Sequence, residues 1–449
     1  MTMVQTMPDN RALVEGLARI DSARMRSYRE NLAFYRGQQW PGTQRRRERR
    51  LVFNYARTLI DKAASYLMNG VGFVVDPEDG SDAAGERARR AEKALHEVYE
   101  ANNLAQLDFD SEIDVSILGD GAFKVTWDTD QWRVRVTAPD VQGLCAWWLG
   151  DDVSRVWRVT SRYAMSGEEA SMLYGAGDRS GSTNKQRVVV EVWTEERFEL
   201  WLDGAPMESK ANPYGFIPFV IYPNLREPKQ FWGVSDIVAV KEPVRELNRA
   251  LSQLSMILEL SGNPVAVLEN VTESQDIAVA PGAVWELPER ARAYLLDLLQ
   301  GGGVNLHIEY VNALYRTLHD LAETPRTSFG DSGKGLSGVA LNIELDPLLK
   351  KVQRKRLLRE AALKRRNEMI LRLLEQHTGV SYAPYRTRVV WNDLLPVDHS
   401  RRVTDETKLV ASGIHSRRRA ADELGVEDPE AEFERWQAEG IAIRDARVS

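Results

Sequence analysis

Ile237, Val240, Val244, Leu247, Leu251, Leu254 and Leu258 recur at alternating steps of three and four, a strict heptad seam. Such a seam makes the stretch helical and requires one narrow apolar stripe to be buried against other helices. Pro243 lies inside it. Lacking a backbone N–H, it reads as a first-turn residue, so the spacing predicts a short helix leading into a longer one over 243–261. The span is too short for a free-standing coiled coil, so its neighbours must come from other helices.

A second amphipathic pattern follows, with Val304, Ile308, Val311, Leu314, Tyr315, Leu318 and Leu321 on one face. Between the two, Gly262-Asn-Pro264 ends the first helix. Pro264–Leu268, Ala283–Leu287 and Ala293–Asp297 read as short strands closed by Gly301-Gly-Gly303. After the second helix comes Thr327-Ser-Phe-Gly-Asp-Ser-Gly-Lys-Gly-Leu-Ser-Gly338, a small-residue loop with Lys334 as its exposed cation. A phosphate-binding Walker loop is excluded here. Gly333-Lys334 is followed by Gly335 instead of Ser or Thr, the first glycine position holds Ser328, and the loop follows a helix instead of a strand.

Beyond the loop a helical pattern runs over 339–376, about 55 Å at the usual rise. Asp346-Pro347 supplies a cap and first-turn pair inside it and predicts a kink. Ten Lys or Arg and two Glu fall between Lys350 and Arg372. Such a helix either holds nucleic acid by charge or pairs with acidic neighbours, and the sequence leaves both open.

In the N-terminal half, residues 11–38, 54–67 and 83–107 read as helices, and Gly70–Val75 as a strand. Arg45–Arg50 is a basic run in a loop, suited to phosphate or to a solvated or intersubunit surface. From Gly119 to about Val220 the pattern changes to strands. Ala122–Trp127 with Trp132–Thr137, and Arg187–Trp193 with Glu196–Trp201, alternate as hairpins, which makes the fold class α+β. Asp108, Asp110, Glu112 and Asp114 have a spacing that sends helical side chains in different directions, so they read as a solvated helix start and not as a metal site. A late strand over 388–393 precedes helices at 404–411, 416–424 and 430–440.

The bulk properties exclude several classes. With 59 basic and 66 acidic residues the chain is mildly acidic, unlike a protein dedicated to wrapping duplex DNA. One cysteine, Cys145, allows no internal disulfide and reads as a buried small hydrophobe. The N-terminus lacks a signal-peptide layout and no apolar run approaches a membrane span, so a soluble chain made in the cytoplasm is expected. The six histidines are dispersed, and no nucleophile elbow or Cys–His pair is present. Neither catalysis, metal nor cofactor is expected. The alternatives from other classes are a terminase-like ATPase or nuclease and a basic-helix DNA-binding scaffold. The missing Walker loop and the missing convergent carboxylates argue against the first.

Motifs in order along the chain narrow the choice. They are Tyr35-Arg-Gly-Gln-Gln-Trp40, Asn54 to Gly70, Gly119-Asp-Gly-Ala-Phe-Lys-Val125 and Trp232-Gly-Val-Ser-Asp-Ile237 with Asn248. Pro281-Gly-Ala-Val-Trp-Glu-Leu-Pro288, Leu336-Ser-Gly-Val-Ala-Leu341, Trp391-Asn-Asp393, Leu395-Pro-Val-Asp398 and Ser412-Gly-Ile-His-Ser416 with Glu427-Asp-Pro-Glu430 follow. In this order they resemble a tailed-bacteriophage portal protein of the type related to the portal of Bacillus phage SPP1.

The resemblance implies a ring of about twelve copies around a channel for packaging and ejecting double-stranded DNA. It implies an N-terminal region and wing at 1–233, stem helices at 234–262 and 303–323, and a clip at 263–302. A tunnel loop at 324–338, a long wing helix with returning strand at 339–395 and a crown at 396–449 complete it. Stem packing between copies would fall to Val244, Leu247, Leu251, Leu254 and Leu258, and the clip would present Trp285 and Leu287. The loop would bring Lys334, Arg326, Ser328, Gly333 and Gly335 to the DNA, holding it without sequence preference. The implied partners are the terminase large subunit, a head-completion or adaptor protein, and the major capsid and scaffolding proteins, with no membrane. The implied place is the portal vertex of the virion.

Overall fold

The computed structural model describes residues 10–17, 19–44, 48–174, 186–262, 265–269, 290, 292–296, 303–331, 338–395, 399–426, 432–433 and 435–437. The chain divides into two compact units, Met1–Val390 and Trp391–Ser449.

The first unit opens with α1 (Arg11–Gly16), α2 (Ser22–Tyr35) and α3 (Tyr55–Leu67), then β1 (Val71–Val75), α4 (Asp82–Ala101) and α5 (Leu104–Leu118). Two expected helices are each split in two. The 11–38 helix is broken before Asp21, which takes a left-handed backbone (φ 54°), and the 83–107 helix ends where Asn103 does the same (φ 48°). Asp and Asn tolerate this conformation better than other non-glycine residues. The Asn102 amide beside that break donates to Val134 O (3.0 Å) and accepts from Val136 N (3.0 Å), giving a neighbouring strand edge a side-chain partner.

β2 (Asp120–Asp128) and β3 (Arg133–Thr137) form the expected hairpin. β4 (Leu144–Leu149), β5 (Asp152–Met165), α6 (Gly167–Tyr174), β6 (Arg187–Trp193), β7 (Arg197–Leu202) and β8 (Ala205–Ala211) follow. β9 (Phe219–Pro223), β10 (Leu225–Arg226) and β11 (Gly233–Val234) complete the strand-rich stretch. The sheets are antiparallel, in the orders β3-β2-β9 and β4-β5-β6-β7-β8. Gly119 and Gly233, from two of the sequence motifs, cross backbone on backbone. A Cβ on Gly233 would lie 2.5 Å from Gly119 O, so the end of α5 and β11 could not approach with a side chain there.

α7 (Ile237–Gly262) is one helix running through Pro243, not two. Its carbonyl-to-proline bond is lost, but Val240, Val244 and Leu247 are buried on either side of the proline and hold the helix. β12 (Val265–Glu269) pairs antiparallel with β13 (Arg292–Leu296), and α8 (Gly303–Leu321) follows. α9 (Gly338–Thr378) is likewise continuous through Pro347, and β14 (Thr387–Trp391) returns to pair with β1. One core joins α2, α3, the faces of both sheets, α7 and α8, with Phe34, Ile60, Leu144, Val244, Leu247 and Leu318 at 4 % exposure or less. Cys145 is buried, as expected.

The second unit holds α10 (His399–Ala411) and α11 (Arg417–Glu423), the latter capped by Ser416, whose Oγ accepts from Arg419 N at 3.2 Å. Among its described residues only Ala420 and Glu406 are buried. Among the described residues of the chain no helix is long and apolar enough to cross a membrane.

Candidate assembly and channel surfaces

Val265 stands opposite Leu296 in the β12–β13 pair, so the chain leaving α7 runs beside the chain entering α8. The two helices are therefore an antiparallel hairpin, and Tyr310 Oη donates to Glu246 (2.8 Å) across it. The heptad seam divides along this hairpin. Ile237, Val240, Val244 and Leu247 are buried in the chain's own core, Leu251 and Leu254 are half-buried, and Leu258 is 52 % exposed. Leu306 (69 %) and Ile308 (44 %) on α8 are exposed with it. This corrects the expected stem contacts. Val244 and Leu247 are enclosed by their own chain and have no surface for a second copy, because Leu318, Ala322 and their neighbours already cover them.

Gln39, Arg49, Leu51 and Phe53 bond along α7. Asn248 Nδ2 donates to Gln39 Oε1 (2.6 Å) and its Oδ1 accepts from Phe53 N (2.8 Å). One turn on, Ser252 Oγ accepts from Leu51 N (3.0 Å). Within the basic run, Arg49 pairs with Glu259 (2.6 Å) and Arg50 donates to Gly42 O and Thr43 O (both 2.9 Å). These two arginines are occupied within the chain, and residues 45–47 lie outside the described residues.

The approach to the glycine loop is anchored. At the end of α8, His319 Nδ1–H donates to Thr324 O (2.6 Å), and Glu323 turns the chain at φ 50°. Ser328 is buried and its hydroxyl donates to Pro325 O (2.6 Å). Arg326 pairs with Asp331, and its guanidinium lies 4.9 Å from the Tyr315 ring. Within the chain Ser328 gives its proton to a carbonyl, and Arg326 forms an exposed pair with Asp331. Lys334, Gly333, Gly335, Trp285 and Leu287 lie outside the described residues.

The basic helix resolves the question its sequence left open. Lys351, Lys355, Arg359 and Arg366 form one buried stripe of α9. Lys351 Nζ donates to Ala322 O (3.0 Å), just past α8, and lies 3.5 Å from Asp236, just before α7. Lys355 Nζ reaches Asp236 (2.6 Å) and Ser116 Oγ (2.8 Å). Arg359 clasps Glu112 through Nε and Nη2 (2.6 and 3.0 Å) and donates to Pro223 O (2.8 Å). Arg366 pairs with Asp108 and donates to Tyr99 Oη (2.9 Å).

The solvated reading of Asp108 and Glu112 is therefore overturned. They stand one turn apart on α5, on the face that α9 covers. Burial opposes the charge of Glu112, but Arg359 and Lys355 outweigh it and hold the carboxyl below its usual range. For Asp236, burial is likewise outweighed by Lys351 and Lys355, which hold it well below that range. The one sequence signal for this stripe was the four-residue spacing 351, 355, 359 facing the four-residue spacing 108, 112.

An α+β unit, a helix hairpin with a strand pair between its helices, and one long helix whose buried cations bond to both define a class. A model of the family described as phage portal protein, SPP1 Gp6-like, matches residues 17–445, and the chain belongs to that family. Among curated proteins no match is found. Portal proteins are structural components of the phage capsid that act in DNA packaging as oligomers, and this is the function of the chain.

Proposed function

We propose that copies of this chain close a ring of about twelve at one capsid vertex, with the α7–α8 hairpins side by side as the stem of a DNA channel. The observation that carries this reading is the distal half of the hairpin, where Leu258, Leu306 and Ile308 stay exposed after the chain has folded. An apolar stripe of this kind needs a neighbour. On this reading 1–233 is the N-terminal region and wing, 263–302 the clip that meets the terminase large subunit and then a head-completion protein, and 396–449 the crown. The long helix and returning strand, 339–395, stay with the wing, whose rim faces the major capsid and scaffolding proteins. Residues 324–338 are the tunnel loop, where Lys334 supplies the cation for passing phosphates and no base is read.

The test is Leu254→Glu with Leu258→Glu in the full chain, followed by light scattering and circular dichroism. The expected result is a folded protein that runs as a monomer under conditions where the parent is an oligomer. A double variant with the parent's mass would contradict the stem assignment.

A further inference from the structure

In the β4–β5 hairpin, Trp147 stands opposite Arg158 and Trp148 opposite Val156, so Trp157 is an extra residue with no partner across the strands. Such a bulge re-aims side chains. Here it brings the Trp157 ring to the same face as Arg158. The Arg158 guanidinium lies 4.2 Å from the Trp147 ring and 4.5 Å from the Trp157 ring, in cation–π reach of both tryptophans.

A guanidinium held against aromatic rings makes no hydrogen bond by that contact and keeps its N–H donors for another partner. Arg158 Nε is buried without a partner, and among the described residues no hydrogen bond or ion pair reaches the group. Burial is the influence acting on its charge, and it lowers the pKa, whereas the buried cations of α9 all sit beside carboxylates. Arg158 is half-buried, so the rings orient the cation and bury its Nε while the rest of the guanidinium is left without a counter-charge of its own chain.

We infer that the Trp147–Arg158–Trp157 clamp is a receptor for a carboxylate presented by a neighbouring copy of this chain. This rests on the oligomeric reading above. The rim favours a protein over nucleic acid. Trp157 (39 %) and Leu149 (44 %) are exposed beside the clamp, an aromatic and arginine composition typical of protein contacts. A second copy supplies the matching charge: the chain is acidic, with net charge −7. Phosphate-backbone binding would instead call for a cluster of cations at this spot.

The experiment compares full-length parent, Arg158→Met and Arg158→Lys by sedimentation over a range of concentration and salt, with unfolding midpoints recorded in parallel. Met keeps the aliphatic packing between the rings and removes the charge; Lys keeps the charge and removes the planar fork. The expected result is association weakened about tenfold or more in the Met variant, with less salt dependence, and weakened to a smaller degree in the Lys variant. An oligomerising parent whose Met variant associates equally well would overturn the inference and leave the stem reading standing. So would a Met variant that loses only DNA affinity, or only folding stability. A parent that never oligomerises would refute the oligomeric reading itself.

Discussion

Among the described residues Arg366 is the bulkiest fully buried side chain, and its charge is tolerated because Asp108 and Tyr99 meet it there. Arg366→Ala would strand the Asp108 carboxylate inside, and we expect a loss of about 3–5 kcal/mol in denaturant unfolding. Arg354→Ala removes an exposed pair with Glu323 and should cost less than about 1 kcal/mol in the same assay. Equal effects would mean that the α9 stripe is not the lock described here. The depressed carboxyls give a pH dependence of definite sign. Below the ordinary carboxylate range, the unfolded chain binds protons that folded Glu112 and Asp236 refuse, so their contribution is complete at neutral pH and lost as pH falls below about 5. Asp236→Asn should lower stability at pH 7 and flatten that acid limb, read from unfolding midpoints between pH 7 and 4. The sequence shows these residues but not their pairing, because Arg359 and Glu112 lie 247 positions apart.

Elements were legible where one face is buried and the other wet. The β2–β3 and β6–β7 hairpins and the helix pair flanking the strand insert follow from alternation and heptad spacing alone. β5 was missed because its first half is mostly exposed, and β8 because every residue in it is exposed, so neither shows the alternation that a half-buried strand imposes. The seam was legible as core, but not which core. Periodicity identifies the buried stripe and is silent on whose chain covers it. In the stem experiment Leu247→Ala is therefore the control: it should cost about 2–5 kcal/mol of subunit stability, whereas Leu258→Glu changes assembly and leaves folding nearly unchanged.

At the scale of the whole molecule, no single motif identified the family. The order of many short ones did, and the match over residues 17–445 agrees with that order. The α9 stripe ties the start of α7 and the end of α8 to α5 and β9, so the hairpin is bonded to the α+β part of its own chain. A ring can then be built by adding contacts between preformed subunits. The most direct measurement is the mass and symmetry of the purified protein, by light scattering with negative-stain class averages. The account predicts a closed ring of about twelve copies with a central hole. A monomer at both low and high concentration would contradict it.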